Sequence, residues 1–119
     1  MTMLTLGDTG QHQVVSGYVL ASGPTLTCSD DSASVASGST GVFTVTFGQP
    51  FLSAPIVTAN IVDATDATTA AHSVAVQSSS TTTIVFNVKT ATTNGTATDI
   101  LSALADVDFN FIAMGKRNR

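Results

Sequence analysis

Three stretches of this chain alternate apolar and polar residues with a period of two. Phe43, Val45 and Phe47 alternate with Val42, Thr44 and Thr46. Ile84, Phe86 and Val88 alternate with Val85, Asn87 and Lys89. Val107, Phe109, Phe111 and Ala113 alternate with Asp108, Asn110, Ile112 and Met114 until Gly115 interrupts the run. Successive side chains of a strand point to opposite faces, so each stretch is a half-buried strand with one face on a core. Five of the six phenylalanines fall on those inward faces, and Phe51 anchors the turn that follows Gly48-Gln49-Pro50. All six are expected to share one core.

The remaining elements are weaker but of the same kind. Val14–Ser22 reads as a strand, and Ala33–Ala36 as a short one within the small, polar run 29–41. Ser73–Gln77 places Val74 and Val76 on one face. Ile56–Val62 is apolar on both faces, which predicts a central strand covered on both sides, or on one side by a partner. Asn94-Gly95 supplies the positive-φ pair of a tight hairpin, and turn is preferred over glycan for its Asn-Gly-Thr sequon. Asp99–Ala105 is the one helix-compatible stretch, a turn or two with Ile100, Leu101 and Leu104 behind an Asp cap. Six or seven short strands in 119 residues predict an all-β fold, a six- to seven-stranded antiparallel β-sandwich. Residues 1–24 are expected to form an N-terminal arm or first strand, and residues 25–119 the sandwich, within a single domain.

Composition agrees and narrows the partners. Thr occurs 20 times, Val 13 and Ser 13, while all eight acidic residues are Asp. Those residues favour strands and turns over helices. Charged residues make up 10% of the chain, against the usual ~25%. Much of the exterior must therefore be Ser, Thr, Ala or apolar, and part of it is expected to be an interface. Without the last four positions, one lysine faces eight aspartates, a net charge of −7. A body of that sign argues against nucleic acid as a partner, and the basic tail reads as a solvated terminus. Met1–Gly10 lacks a basic n-region, and Ser16 and Gly17 interrupt Val14–Ala21, so neither a signal peptide nor a membrane span is expected.

Catalytic and cofactor chemistry finds little support. Gly7 and Gly10 lack the lysine and helix of a phosphate loop, and no Cys/His spacing suits zinc. Cys28 is single and reads as a small buried or edge residue; a catalytic thiol would need His12 or His72 beside it. No enzyme activity, cofactor or metal is expected. Asp63, Asp66 and His72 share one loop and are the weak candidates for binding calcium or sugar hydroxyls. The simpler expectation is that the aspartates start turns and His72 caps the next strand. Asp30-Asp31 is weighed the same way. Tyr18 is the one tyrosine, and there is no Trp, so a sugar site would rely mainly on hydrogen bonds.

Two stretches carry a family resemblance. Val45-Thr-Phe-Gly-Gln-Pro50-Phe51-Leu-Ser-Ala-Pro55-Ile-Val57 resembles the H-type lectin domain, with a strand ending in Phe, a Pro-Phe pair and a Pro-x-Val entry to the next strand. The closing Val107–Gly115, ending Phe-Ile-Ala-Met-Gly, resembles that family's last strand. Asp63 falls near the family's acidic residue after the Pro-x-Val strand, and Phe86 near its aromatic. The resemblance covers roughly residues 40–115. It implies a six-stranded antiparallel sandwich assembling as trimers or hexamers, of a kind found in phage tail-fibre tips and particle decorations. The family's last-strand tryptophan is Phe here, and its sugar-contacting residues find no match, so the fold carries over and the carbohydrate site does not.

The expected function is a phage virion structural protein, an oligomeric capsid decoration or cement protein at the virion surface, made in the host cytoplasm. Its partners would be further copies of itself and the major capsid or other virion proteins. The alternative is a tail-fibre or adhesin tip that binds host surface glycans. A tail or neck connector is a third.

Overall fold

The computed structural model describes residues 12–62, 70–93 and 100–117. Nine strands lie among them: β1 (His12–Leu20), β2 (Thr25–Cys28), β3 (Ser34–Ser39), β4 (Val42–Thr46), β5 (Ile56–Ile61), β6 (Ala70–Ser79), β7 (Thr83–Thr93), β8 (Ile100–Leu104) and β9 (Phe109–Lys116). They form two antiparallel sheets packed as a sandwich. The first has the order β2-β1-β9-β5, and the second β3-β4-β7-β6 with β8 also on β7.

The inward faces are those the alternation indicates. Phe43 and Val45 of β4 and Ile84, Phe86 and Val88 of β7 meet Val15 and Val19 of β1 and Phe109, Phe111 and Ala113 of β9. Rings from the two sheets interdigitate: Phe109 lies 4.9 Å from Phe86 and 5.5 Å from Phe43, and Phe111 lies 5.3 Å from Phe86. Phe47 and Phe51 pack edge to face at 4.9 Å and close one end. All six phenylalanines are buried, and no polar or charged residue is buried among the described residues.

Three expectations are revised. Asp99–Ala105 was expected to hold a helical turn, but Ile100–Leu104 is strand β8, paired with Lys89–Thr93 of β7. The reason is an open edge. β4 covers β7 only along Thr83–Asn87, so without β8 the edge at Lys89–Thr93 would lack partners on that side, and pairing outweighs a short, poorly nucleated helix. Ile56–Val62 is not central: among the described residues β5 pairs only with β9 and forms a sheet edge, with Ile56 73% exposed. Its inner residues Val57, Ala59 and Ile61 pack on the core, and its outer residues Ile56, Thr58 and Asn60 are exposed. Finally, β2 at Thr25–Cys28 raises the strand number beyond six or seven. Its Leu26 and Cys28 pack on the core.

Within residues 1–24, His12–Leu20 is a strand held between β2 and β9. An arm ahead of it would fall in residues 1–11, outside the described residues. The Asn94-Gly95 turn also lies outside them.

Loops are stapled by aspartates that accept backbone N–H groups, which explains why a chain of turns uses this short acid. Asp30 accepts from Ser32 at 2.9 Å, Gly48 at 2.9 Å and Gln49 at 3.2 Å, joining the β2–β3 loop to the end of β4. Asp30→Ala should lower stability by about 1–2 kcal/mol, because three donors lose a charged acceptor in a setting where water partly replaces it. Asp30→Asn should cost less, since one acceptor oxygen remains. Urea unfolding of the two variants gives the comparison, and equal stability of Asp30→Ala and wild type would contradict the staple.

Candidate interaction face

The outer face of the β2-β1-β9-β5 sheet is assembled row by row from strands distant in sequence. Register sets Met114 between Val14 and Ile56, Ile112 between Ser16 and Thr58, and Asn110 between Tyr18 and Asn60. Val14 is 56% exposed, Ile112 46% and Met114 47%. With Ile56 they form one contiguous apolar block. Covering such a side chain contributes about 1.5 kcal/mol.

Among the described residues, charge is confined to the two ends of this face. His12 stands opposite Lys116 at one end. At the other, Asp108 immediately precedes β9, and its Oδ1 accepts the Ala21 amide at 2.8 Å. Between them the rows hold only Val, Ile, Met, Ser, Thr, Asn and Tyr. A shallow concavity of about 680 Å³ lies over the polar half, lined in part by Ser16, Tyr18, Thr27, Asn60 and Asn110. Neither the phenol nor the two amides has a hydrogen-bond partner among the described residues.

A second concavity, of about 500 Å³, is lined by Gln13, Ser29, Asp30, Gln49 and Arg117 among others. Its polar groups are engaged in the fold: Asp30 staples two loops, and Gln13 Nε2 donates to the Gln49 carbonyl at 2.7 Å. That bond fixes the amide orientation and leaves Gln13 Oε1 buried with no partner in the structure.

The sequence-derived site residues divide. Asp63 and Asp66 lie outside the described residues. His72 is half-buried on β6, its Nδ1 2.8 Å from Thr90 Oγ1 on the neighbouring β7. Among the described residues no group of three or more His, Cys, Asp or Glu is placed to hold a metal ion. The face described above escaped residue-type reasoning because Val, Ile, Met and Thr on strands read as core.

Cys28, on edge strand β2, has a thiol held above its ordinary value of 9.0, chiefly by burial. Nearby Asp30 and Asp31 push the same way, while backbone hydrogen bonds work against them. The folded state therefore holds this proton more tightly than the unfolded chain. Its contribution to stability is present below the ordinary value and is lost as pH rises through the folded one. Native Cys28 should react with iodoacetamide more slowly than in urea at neutral pH, the gap closing at high pH. Faster native labelling would contradict this.

Fold and surface together define an antiparallel β-sandwich with one broad sheet face, apolar toward the His12–Lys116 end, polar toward the Asp108 end, and among the described residues charged only at those two ends. No family model, curated protein or solved structure significantly matches this chain.

Proposed function

We propose that this protein is a non-catalytic structural component of a phage virion, an oligomeric decoration or cement protein that covers the shell. The observation that supports it best is the exposed block of Val14, Ile56, Ile112 and Met114 in a face without charge at its centre. Neighbouring proteins can cover such a face without stranding a buried charge. The H-type-lectin-like stretches add the phage context. They are neighbours in space, since Leu52 donates to the Lys116 carbonyl at 2.9 Å and β5 pairs with β9. Mass action in an assembled particle would add to the stability of a small core.

The test is copy number, by quantitative mass spectrometry of purified virions whose genome encodes the chain. Copies comparable to the major shell protein are expected. Complete absence would overturn the virion role, and a small fraction would move the protein to the tail.

A fibre-tip glycan binder is the second reading. It draws on Tyr18, Asn60 and Asn110, whose unpartnered hydrogen-bonding groups share one row. Binding in a glycan array that is lost in Asn110→Ala would favour it over decoration.

A further inference from the structure

We infer that the outer face of the β2-β1-β9-β5 sheet packs against the same face of a second copy of this chain, about a twofold axis crossing the strands at the Ser16–Ile112–Thr58 row. This rests on the reading that a protein neighbour covers the face, and it names that neighbour.

The order of side chains along β9 carries the inference. Its outer positions, with the residue before it, read Asp108, Asn110, Ile112, Met114, Lys116. The sequence of characters is acid, amide, apolar, apolar, base. A twofold axis in the plane between two stacked sheets, perpendicular to the strands, sets β9 over β9 with its direction reversed. Ile112 then meets Ile112 at the axis, Met114 covers Asn110, and each Lys116 stands over the partner copy's acidic end. The same operation puts Val14 over Tyr18 and Ile56 over Asn60. Residue i meets j and j meets i, the condition for a closed, isologous contact. An axis parallel to the strands would instead oppose the two His12–Lys116 ends, so like charges disfavour it.

The groups are available for this. Asp108 uses one carboxylate oxygen on Ala21, and the other has no partner among the described residues. Lys116 is exposed. The four strands hold 9, 4, 8 and 6 residues, so at about 3.3 Å per residue and 4.8 Å per strand the face has a footprint of roughly 430 Å². Against the roughly 800 Å² per partner of a standard interface, that footprint suits a small, concentration-dependent pairing. Sheet twist would set the two faces at about 30°, as in aligned sandwiches.

The test is sedimentation equilibrium of the full chain over a concentration series, with Ile112→Glu and Lys116→Asp beside wild type. Wild type should self-associate. Ile112→Glu stacks two carboxylates at the axis and should raise the dissociation constant by at least about 100-fold. Lys116→Asp sets acid against acid and should raise it about tenfold or more. Both positions are exposed, so unchanged circular dichroism and melting will separate lost association from lost fold. In a Cys28→Ser background, a short bis-maleimide spanning the ~10 Å between stacked sheets should link Ile112→Cys chains into pairs but not Lys89→Cys chains, whose label sits on the other sheet. Association untouched by Ile112→Glu, or equal crosslinking at both positions, would overturn the inference. So would a wild type monomeric throughout. If such a monomer still occupies virions, the structural role stands and only the pairing falls; absence from virions as well defeats both.

Discussion

Phe109→Ala should lower the unfolding free energy by about 3–5 kcal/mol, the cost of lost transfer energy plus a cavity that its neighbours fill poorly. Phe109 has no exposed surface and touches both Phe43 and Phe86, so its ring is held from the opposite sheet on two sides. Domains of this size have only about 5–15 kcal/mol in total, and the variant should unfold at far lower urea or fail to accumulate folded. Ile56→Ala is the matched control. Its side chain is three-quarters exposed, and the change should leave the isolated chain within about 0.5 kcal/mol of wild type. Equal midpoints for the two variants would refute the core described here.

Gly41→Ala should be nearly as damaging, by about 2–4 kcal/mol, because strain and collision act together. Gly41 has φ of 75°, and a Cβ there would lie 2.7 Å from the Val88 carbonyl oxygen and 2.8 Å from the Ala105 amide nitrogen. These backbone atoms form the junction at which β7 passes from β4 to β8. Val88 donates to the Gly41 carbonyl at 2.8 Å, Ala105 donates to Val88 at 3.0 Å, and Gly41 donates to Asp106 Oδ1 at 2.8 Å. Relief of the collision must break that junction. Gly23→Ala separates the two causes, since Gly23 has φ of 85° but nothing within 4 Å of a new Cβ. It should cost only the left-handed strain, about 1–2 kcal/mol. Urea unfolding of both variants checks the difference, and a Gly41→Ala no worse than Gly23→Ala would show that the junction yields.

The legible parts of the fold are those with a local signature. Phe43, Ile84, Phe86, Phe109 and Phe111 declare their inward direction through the residues on either side, because alternation is written into consecutive positions. Asp99–Ala105 misled for the complementary reason: Ile100, Leu101 and Leu104 suit a helical face, and only the uncovered edge at Lys89–Thr93 makes them a strand. Ile56–Val62 is similar. Its apolar outer residue marks exposure at a sheet edge, which looks the same in sequence as burial at a sheet centre.

The functional side was less legible. Asp63, Asp66 and His72 drew attention by residue type. The exposed apolar block is made of Val14, Ile56, Ile112 and Met114, which no residue type distinguishes from a core. Their adjacency comes from register between β1, β9 and β5, whose partners are about 50 to 100 positions apart.

By itself the sequence determined the all-β class, the inward faces of β4, β7 and β9 and the six-phenylalanine core, since each depends on neighbours along the chain. Tertiary structure alone decided which strands became edges, that β8 completes β7, and that four apolar residues meet on one uncharged face. Those outcomes depend on which backbone groups remain unpaired once other strands have docked, and that competition between distant segments leaves no periodic mark in the chain.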